Sequence, residues 1–444
     1  MGGLLAARVL ADFFDEVTVV ERDRFPEPGQ HRRGVPQGRH THGLLAAGAD
    51  VLEDLLPGLR QDLLDAGAVS GDVVNKARWF HNGGHLARVE SGLDALAVSR
   101  PLLEGLVRRR VLAYRGIQTL EECDATGLVS TPDGKRITGL QIKDGRKLEA
   151  DMVVNAAGRA SHGLEWLAAL GYPKPDQDRV EIALAYTTRH FRRDPADLNG
   201  DIVAVIPPTP TGKRGGVIAA QEGNRWTVTL TSHFGHSAPM DLEGFREYAR
   251  TLTSPDIYEV IRNAEPVDEP QTARFPASLR QRYERLDRFP VGYLVFGDAI
   301  CSFNPIYGQG MSVAALQAMA LRHSLQRHAP ALLAKAFFSA AAKVVDIPWS
   351  IVVGNDLRMP EAVGQRTVGM RFANWYIAKL HKAAHRDAVL SLAFQRVANL
   401  LRPPSSLMNP RLVWRVAKAS VSAMFQLHQR RVERRSAAHV SQPL

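Results

Sequence analysis

The stretch that most constrains the fold is YLVFGDAICSFNPIYGQGM, residues Tyr293–Met311, which precedes an apolar segment, Ser312–His323. Its order of residue types predicts a short buried strand, a loop with one carboxylate, and a glycine-flanked turn that opens a helix. Such a turn lets backbone N–H groups approach a ligand without a Cβ in the way, and a helix N-terminus favours an anionic or electron-rich group. Asp298 follows the strand, where a carboxylate commonly accepts hydrogen bonds from sugar-like hydroxyls. The alternative interpretation is a strand-to-helix loop capped by Asp298.

This stretch resembles a known flavin motif. The run GDAxxxxxPxxGxG is similar to the second flavin motif of FAD-dependent aromatic hydroxylases, squalene epoxidase-like enzymes and flavin halogenases. In that family the aspartate bonds the ribityl chain of FAD, and the glycine turn sets its amides against the pyrimidine side of the isoalloxazine. The resemblance therefore implies that FAD is contacted by Asp298, Pro305, Gly308, Gly310 and Met311.

The amino-terminal segment has the pattern of half a dinucleotide-binding unit. A helical pattern, Met1–Leu10, is followed by a β-branched strand, Glu16–Arg22, in which Glu21 is placed to bond adenosine ribose hydroxyls. Gly3 matches the last glycine of a GxGxxG fingerprint, whose first strand and first two glycines are absent. Because that strand is normally central, its absence predicts two unpaired edges. We hypothesise a truncated or misassigned start; the alternative is a genuine short form that binds flavin poorly.

A polar, glycine-rich loop follows at residues 32–45, with the sequence RRGVPQGRHTHGLL. Its two histidines have no third ligand at metal spacing, so we predict loop polarity and no metal site. The loop is similar to the GVPQGRHxHGLL segment of bacterial FAD-dependent epoxidase-like proteins. That resemblance implies a position for Arg39 near the flavin or at the entrance to its pocket.

Two further segments carry predicted cofactor contacts. Ser99 is a good cap for a helix whose first turn contains Pro101, and the family's SRxxLExxL pattern implies that Arg100 contacts FAD. A strand and turn around Gly158 resemble the family's middle motif near the pyrophosphate. There Ala157 replaces the usual acid and Asn155 stands where aspartate is common, so only a backbone role for Gly158 is carried over.

The fold class predicted is α/β, with a Rossmann-like FAD-binding domain, an inserted antiparallel β-sheet substrate domain and a helical C-terminal region. The FAD-binding domain is assigned to residues 1–180 and 276–330, the substrate domain to 181–275, and the helical region to 331–444. Turn residues at 132–134 and 144–145 indicate a β-meander, and Glu222-Gly223-Asn224 indicates a hairpin. The mostly small and apolar residues of the middle domain favour a hydrophobic substrate.

Composition limits the other classes of function. The net charge of +10 favours acidic ligands or an anionic membrane surface, but no zinc-finger or RNA-binding signature indicates nucleic acid. Cys123 and Cys301 are too few for a disulfide framework. With no leader and no apolar run of about eighteen residues, we expect a cytoplasmic protein. The basic helix predicted at 409–435 either contacts a membrane peripherally or presents a solvated face.

The resemblance implies a monooxygenase of the para-hydroxybenzoate hydroxylase type. In such enzymes reduced FAD reacts with O2 to give a C4a-hydroperoxide, which transfers one oxygen atom to an alkene or an electron-rich ring. Because the flavin carries this chemistry, no catalytic side chain is predicted; the protein positions the substrate and excludes water. The electron source is NAD(P)H or a separate flavin reductase, and a role in secondary metabolism is expected.

Three alternatives remain open from the sequence. A flavin-dependent halogenase would be expected to carry a WxWxIP segment, and none of the six tryptophans lies in one. A reductase or desaturase acting on isoprenoid double bonds shares the flavin fold. A flavin-free binding protein is favoured only if the short amino terminus is genuine.

Overall fold

The computed structural model describes residues 1–235 and 237–421. Its α-helices are α1 Gly2–Leu10, α2 Ala46–Leu55, α3 Leu59–Asp65, α4 Arg100–Leu112, α5 Gly163–Ala169, α6 Leu242–Arg250, α7 Asp256–Ile261, α8 Gly310–Arg327, α9 Pro330–Asp356, α10 Val368–Ala384 and α11 Ala388–Ala398. Its strands are β1 Val17–Val20, β2 Val69–Asp72, β3 Ala77–His81, β4 Gly84–His85, β5 Asp94–Ala97, β6 Ile117–Leu120, β7 Ala125–Ser130, β8 Ile137–Ile142, β9 Lys147–Glu149, β10 Val153–Asn155, β11 Gln177–Arg192, β12 Val203–Ile206, β13 Arg214–Gln221, β14 Arg225–His233, β15 Gln271–Gln281, β16 Tyr293–Val295 and β17 Cys301–Ser302.

The parallel strands form two separate pairs. β1 pairs with β6, and β10 pairs with β16. Each is a two-stranded sheet among the described residues, and α1 packs near both β1 and β10. This is the arrangement expected when a central strand between β1 and β10 is absent, so the prediction of two unpaired edges is confirmed.

A large mixed sheet forms the middle of the molecule, in the order β17-β15-β11-β14-β13-β12-β3-β4. The predicted hairpin is confirmed, with Gly215 opposite Thr231 in the β13–β14 ladder. The predicted domain limits at 180/181 and 275/276 fall inside β11 and β15, and β3 and β4 join the same sheet. The residue pattern from Leu242 to about Arg262 predicts one helix, but this prediction is wrong, because a break at residues 251–255 separates α6 from α7.

The two faces of this sheet have different chemistry. On β14, Trp226, Val228 and Leu230 are fully buried in a hydrophobic core covered by α6 and α7. The alternate residues, from Thr227 to His233, point to the opposite face, because successive side chains of a strand alternate. That opposite face lines the main cavity of the protein.

The C-terminal region is helical, as predicted, but α9 is longer than the sequence indicates. The sequence predicts a helix ending near Val344, whereas α9 runs through Pro348 to Asp356. By length and composition α9 is the one described helix that meets the criteria for a membrane span, with 44% of its most apolar window buried. Its buried face packs on α8 in the main core. Residues 410–421 begin the predicted basic helix; residues 422–435 lie outside the described residues.

The contact between α2 and α8 depends on a glycine. A Cβ at Gly48 would lie 2.7 Å from the Cα and Cβ of Ser312. We expect Gly48→Ala to lower the free energy of unfolding by about 1–3 kcal/mol, because two helices would have to separate. Urea unfolding measures this change. Gly369→Ala in α10 is the control, because the nearest atom to the added Cβ would be Thr367 Oγ1 at 3.9 Å. The free energy of unfolding of this variant should be unchanged or slightly higher. Equal effects of both substitutions would contradict the packing argument.

Candidate functional site

One large cavity lies between the two parallel strand pairs and the eight-stranded sheet. Its volume is about 2490 Å³, which exceeds the several hundred Å³ typical of a single small-ligand pocket. Its wall includes the edges of β1 and β10, the 32–45 loop, the segment after β16, and parts of α9 and α10. The cavity therefore has room for a long cofactor and a second ligand.

The segment after β16 supplies a carboxylate to this cavity. Asp298 lies in the cavity wall, and its side chain is accessible from within the cavity. Desolvation raises the pKa of its carboxyl, and the positive charges of Arg100, the Met1 ammonium and Arg159 only partly oppose this shift. No hydrogen bond to this carboxyl is present in the described part of the chain. The acceptor oxygens of Asp298 are therefore open to a ligand in the cavity.

The predicted glycine turn is present. Gly308 has φ +64°, and a Cβ there would lie 3.4 Å from the Cα of Gly43. Two loops far apart in sequence therefore meet backbone to backbone at the start of α8. An 18-residue helix opens at Gly310, directly beside Asp298, since a Cβ at Gly310 would lie 3.9 Å from Asp298 Oδ1. Met311 is 7% exposed and also contributes to the cavity wall.

A buried charge cluster surrounds the start of α4. Ser99 caps this helix as predicted, because its Oγ accepts from the Leu102 N–H at 3.3 Å. Arg100 donates to Glu104 Oε2 through Nε at 2.9 Å and Nη2 at 2.7 Å. Burial alone would raise the pKa of Glu104, but the Met1 ammonium, Arg100 and Arg32 hold it well below its ordinary value. The Arg100 guanidinium is thus fixed at the cavity wall.

Glu21 lies just after β1, as predicted, but it already has a partner. Its Oε2 forms an ion pair with Arg32, and its Oε1 accepts from the Asp23 N–H at 3.1 Å. Both Glu21 and Arg32 line the cavity. This pair joins a strand end to a loop eleven residues away, and no local sequence pattern predicts it.

The middle motif and α1 meet on the other side of the cavity. Gly158 has φ +75°, a conformation that favours glycine. A Cβ added at this position would have no heavy atom within 4 Å. Gly3 faces the same motif, since a Cβ there would lie 3.5 Å from the Cβ of Ala156. The amide of Asn155, which replaces the family's aspartate, donates to Ser161 and Tyr293 hydroxyls at 2.7 and 2.8 Å. Asn155 is thus a structural residue that braces the turn.

The loop around Arg39 carries exposed arginines and two imidazoles that bond within the protein. Arg39 lines the cavity and, within residues 1–235 and 237–421, has no side-chain hydrogen bond or ion pair. His40 Nδ1 bonds Thr188 Oγ1 at 2.8 Å, and His42 Nδ1 bonds the His40 carbonyl at 2.9 Å. Burial lowers the pKa of each imidazole to about 4, so both are neutral near pH 7. The histidines are internal hydrogen-bonding groups, consistent with the predicted loop polarity.

All ten residues predicted to bind the cofactor lie on this cavity: Gly3, Glu21, Arg39, Arg100, Gly158, Asp298, Pro305, Gly308, Gly310 and Met311. They come from segments separated by up to about three hundred residues in the chain. Their contacts with FAD stay predictions, but their convergence is a property of the structure.

Sequence reasoning missed two groups of residues at this site. Gln317 on α8 is fully buried and accepts from the Gly297 N–H at 2.9 Å, which fixes the start of the Asp298 turn. Asp356, at the end of α9, contacts Tyr307 and Asn304 inside the cavity wall. The sequence showed only that residues 354–361 are unusually polar before an apolar helix.

A curated relative places the chain in a family. Protein Rv3254 from Mycobacterium tuberculosis is 33% identical over 431 residues, which cover 90% of this chain and 88% of the relative. The chain belongs to the family of Rv3254. No protein-family profile matches the sequence.

Solved structures identify the fold. A flavoprotein/dehydrogenase from Cytophaga hutchinsonii has a TM-score of 0.64 at 15% identity, covering 96% of this chain and 97% of its own. The flavin-dependent brominase Bmp2 has a TM-score of 0.62 at 16% identity, with coverage of 89% and 90%. Pseudomonas aeruginosa PqsL, a probable FAD-dependent monooxygenase, has a TM-score of 0.58 at 18% identity, with coverage of 80% and 94%. The chain has the fold shared by these flavoproteins, as predicted.

Proposed function

We propose that this protein is an FAD-dependent monooxygenase that inserts one oxygen atom into a hydrophobic substrate by epoxidation or hydroxylation. The observation that carries the proposal is the convergence of all ten predicted cofactor residues on one cavity. The fold shared with PqsL and Bmp2 supports a flavoprotein, although those proteins carry out different reactions.

The residues of the cavity fit FAD in charge and shape. The start of α8 and the amides around Gly308 are suited to the pyrimidine side of the flavin ring, and the unpartnered Asp298 to ribityl hydroxyls. Arg100 and the N-terminal end of α1 are suited to the diphosphate. Glu21 keeps acceptor capacity toward ribose hydroxyls beyond its pair with Arg32.

The protein's own part in the reaction is to hold the substrate and keep water out. When bound, FAD supplies the activation of O2. The cavity face of the large sheet presents apolar side chains, among them Val203, Val205, Val217 and Ala219. Such a wall binds an apolar substrate by removing its surface from water and shields a reactive cofactor from side reactions. NAD(P)H or a partner reductase serves as the proposed electron source, and a cytoplasmic location is proposed.

The first test is the absorbance spectrum of the purified protein. We expect flavin bands that remain after gel filtration and disappear on denaturation and dialysis. A chain lengthened upstream of Met1 by an apolar strand and a glycine turn should bind FAD more tightly, because the edges of β1 and β10 face the same cavity without a strand between them. If neither form binds FAD when folded and supplemented, the proposed function is wrong.

The reaction type needs a separate measurement. With reduced FAD and a candidate alkene or electron-rich aromatic compound, isotopically labelled O2 should place one labelled oxygen atom in the product. Incorporation of bromide or chloride would instead favour a halogenase, and saturation or desaturation without oxygen transfer would favour an isoprenoid reductase or desaturase.

A further inference from the structure

Three polar side chains form a buried cluster where the Asn304–Gly308 loop meets the end of α9. Asp356 Oδ1 accepts hydrogen bonds from Asn304 Nδ2 and from the Tyr307 hydroxyl, each at 2.9 Å. Asp356 is 2% exposed and Asn304 is fully buried. Asp356 Oδ2 has no hydrogen-bond partner in the part of the chain that the structure describes. The cluster thus holds a carboxyl group whose bonding is incomplete.

The surroundings of Asp356 disfavour its ionised form. No cation forms an ion pair with it among residues 1–235 and 237–421, and it ends a 27-residue helix, where the helix dipole is negative. Burial raises the pKa of the carboxyl to about 7, and the hydrogen bonds from Tyr307 and Asn304 offset only part of this effect. The carboxyl is therefore mostly neutral below pH 7 and mostly ionised above it.

Tyr307 connects this carboxyl to the cavity. The Tyr307 side chain is partly buried and forms part of the cavity wall. Its accessible surface therefore faces the cavity. It lies in the turn directly before Gly308, between the predicted flavin contacts and α9. Burial also raises the pKa of the Tyr307 hydroxyl well above its ordinary value, so the phenol keeps its proton at neutral pH.

We propose that Tyr307, supported by the neutral carboxyl of Asp356, donates a hydrogen bond to an oxygen atom of the substrate. The substrate class is then an apolar molecule that carries a carbonyl or similar acceptor oxygen. This inference rests on the proposed function of the cavity as a substrate site. When Asp356 is neutral, its O–H donates to Tyr307 and leaves the phenolic hydrogen for the ligand. When Asp356 is ionised, it accepts that hydrogen and the ligand loses its donor.

Other charged groups near the cluster do not titrate in the same range. Arg358 is close enough to influence Tyr307 electrostatically. Burial lowers the pKa of His81 to about 4 and that of His381 well below its ordinary value, so both remain neutral above pH 6. A pH dependence between about 6 and 8.5 is therefore assigned to Asp356.

The test compares two probes of nearly the same shape, 2-acetylnaphthalene and 2-ethylnaphthalene, by fluorescence titration of the FAD-supplemented protein. At about pH 6 the wild-type protein should bind the acetyl probe at least about fivefold more tightly, the order expected for one hydrogen bond. At about pH 8.5 this preference should fall. Tyr307→Phe should remove the preference at both pH values. Asp356→Asn should make the preference independent of pH, because an amide does not titrate in this range.

A matched control variant and a measurement of FAD occupancy separate this inference from other causes of weak probe binding. Tyr172→Phe makes the same chemical change at a hydroxyl that bonds the Gly134 carbonyl outside the cavity, and it should leave the preference unchanged. The flavin spectrum of each sample records FAD occupancy, so a failure to bind FAD tests the proposed function alone. An unchanged preference in folded Tyr307→Phe, or the same pH response in Asp356→Asn and wild type, would overturn the inference.

Discussion

Replacing Asp298 with asparagine is expected to weaken FAD binding while stabilising the FAD-free protein. In the proposed complex, ribityl hydroxyls donate to the Asp298 carboxylate, and hydrogen bonds to charged groups contribute about 1.5–3 kcal/mol. The Kd for FAD should therefore rise roughly 10- to 150-fold. Without FAD the same carboxylate is partly desolvated and has no hydrogen-bond partner among the described residues.

The stabilising effect should depend on pH. Because desolvation raises the folded-state pKa of Asp298 above 3.8, the wild-type protein loses stability as pH rises through this raised pKa. Asp298→Asn removes this loss, so its Tm without FAD should exceed that of wild type at about pH 8 and approach it at about pH 4. Isothermal titration with FAD and thermal unfolding measure the two effects.

Asp287→Asn is the control for the Asp298 prediction, because Asp287 is exposed and does not line the cavity. It should change neither FAD affinity nor the pH dependence of Tm. A variant Asp298→Asn that bound FAD as tightly as wild type would argue against a ribityl contact. A less stable FAD-free variant would show that Asp298 has a structural role instead.

Asp356→Asn is expected to give the largest pH-dependent gain in stability. The pKa of Asp356 rises from 3.8 to about 7 in the folded protein. At about 1.36 kcal/mol per pKa unit, the cost of ionising this buried group has an upper bound of about 4.4 kcal/mol. Wild-type stability from this group is full below about pH 4 and is lost as pH rises to about 7. The asparagine variant, which keeps an acceptor for Asn304, should therefore be more stable at about pH 8 and similar to wild type at about pH 4.

A second buried aspartate provides a control with the opposite sign. Asp256 is 6% exposed and is bonded by Arg78 at 2.7 Å and His85 at 2.6 Å. Burial favours a higher pKa for its carboxyl, but His85, Ser254 and Arg78 hold it well below its ordinary value. Asp256→Asn should therefore destabilise the protein at neutral pH. Urea unfolding of both variants at several pH values compares them, and a loss of stability in Asp356→Asn at about pH 8 would contradict the assigned cost of burial.

Asp298 and Asp356 show that a side chain suited to binding a ligand can lower the stability of the ligand-free protein. Asp298 and Asp356 both lie on the cavity and both have raised pKa values because of desolvation. Neither belongs to an ion pair in the described part of the chain, whereas Asp256 and Glu104 are held by cations. Groups whose charge is costly without a ligand are expected at a binding site more often than at a structural one.

The residues near one another in sequence were predicted well. The strand-turn-helix order from Tyr293 to α8, the capped start of α4, the β13–β14 hairpin and the meander from β7 to β9 follow from local rules. A glycine at positive φ, a serine cap and a run of alternating apolar residues each determine the backbone conformation of only a few neighbouring residues. The fold class followed because these local elements occur in the order of a known flavoprotein fold.

Other features depended on contacts between distant segments. Pro348 would ordinarily end or kink a helix, yet α9 continues because Trp349, Val352 and Val353 are buried beyond it. The break between α6 and α7 and the entry of β3 and β4 into the large sheet were likewise not visible in the local pattern. In each case packing energy outweighed a local preference.

Residue types and their order along the chain are enough to predict which backbone turns and side chains suit a flavin, because those properties belong to single residues and their immediate neighbours. The folded molecule was needed to show that Gly43 meets Gly308, that Arg32 pairs with Glu21, and that Asp356 contacts Tyr307. These are contacts between residues that no local rule brings together. Desolvation is also a property of the folded molecule, and it raises the pKa values of both Asp298 and Asp356.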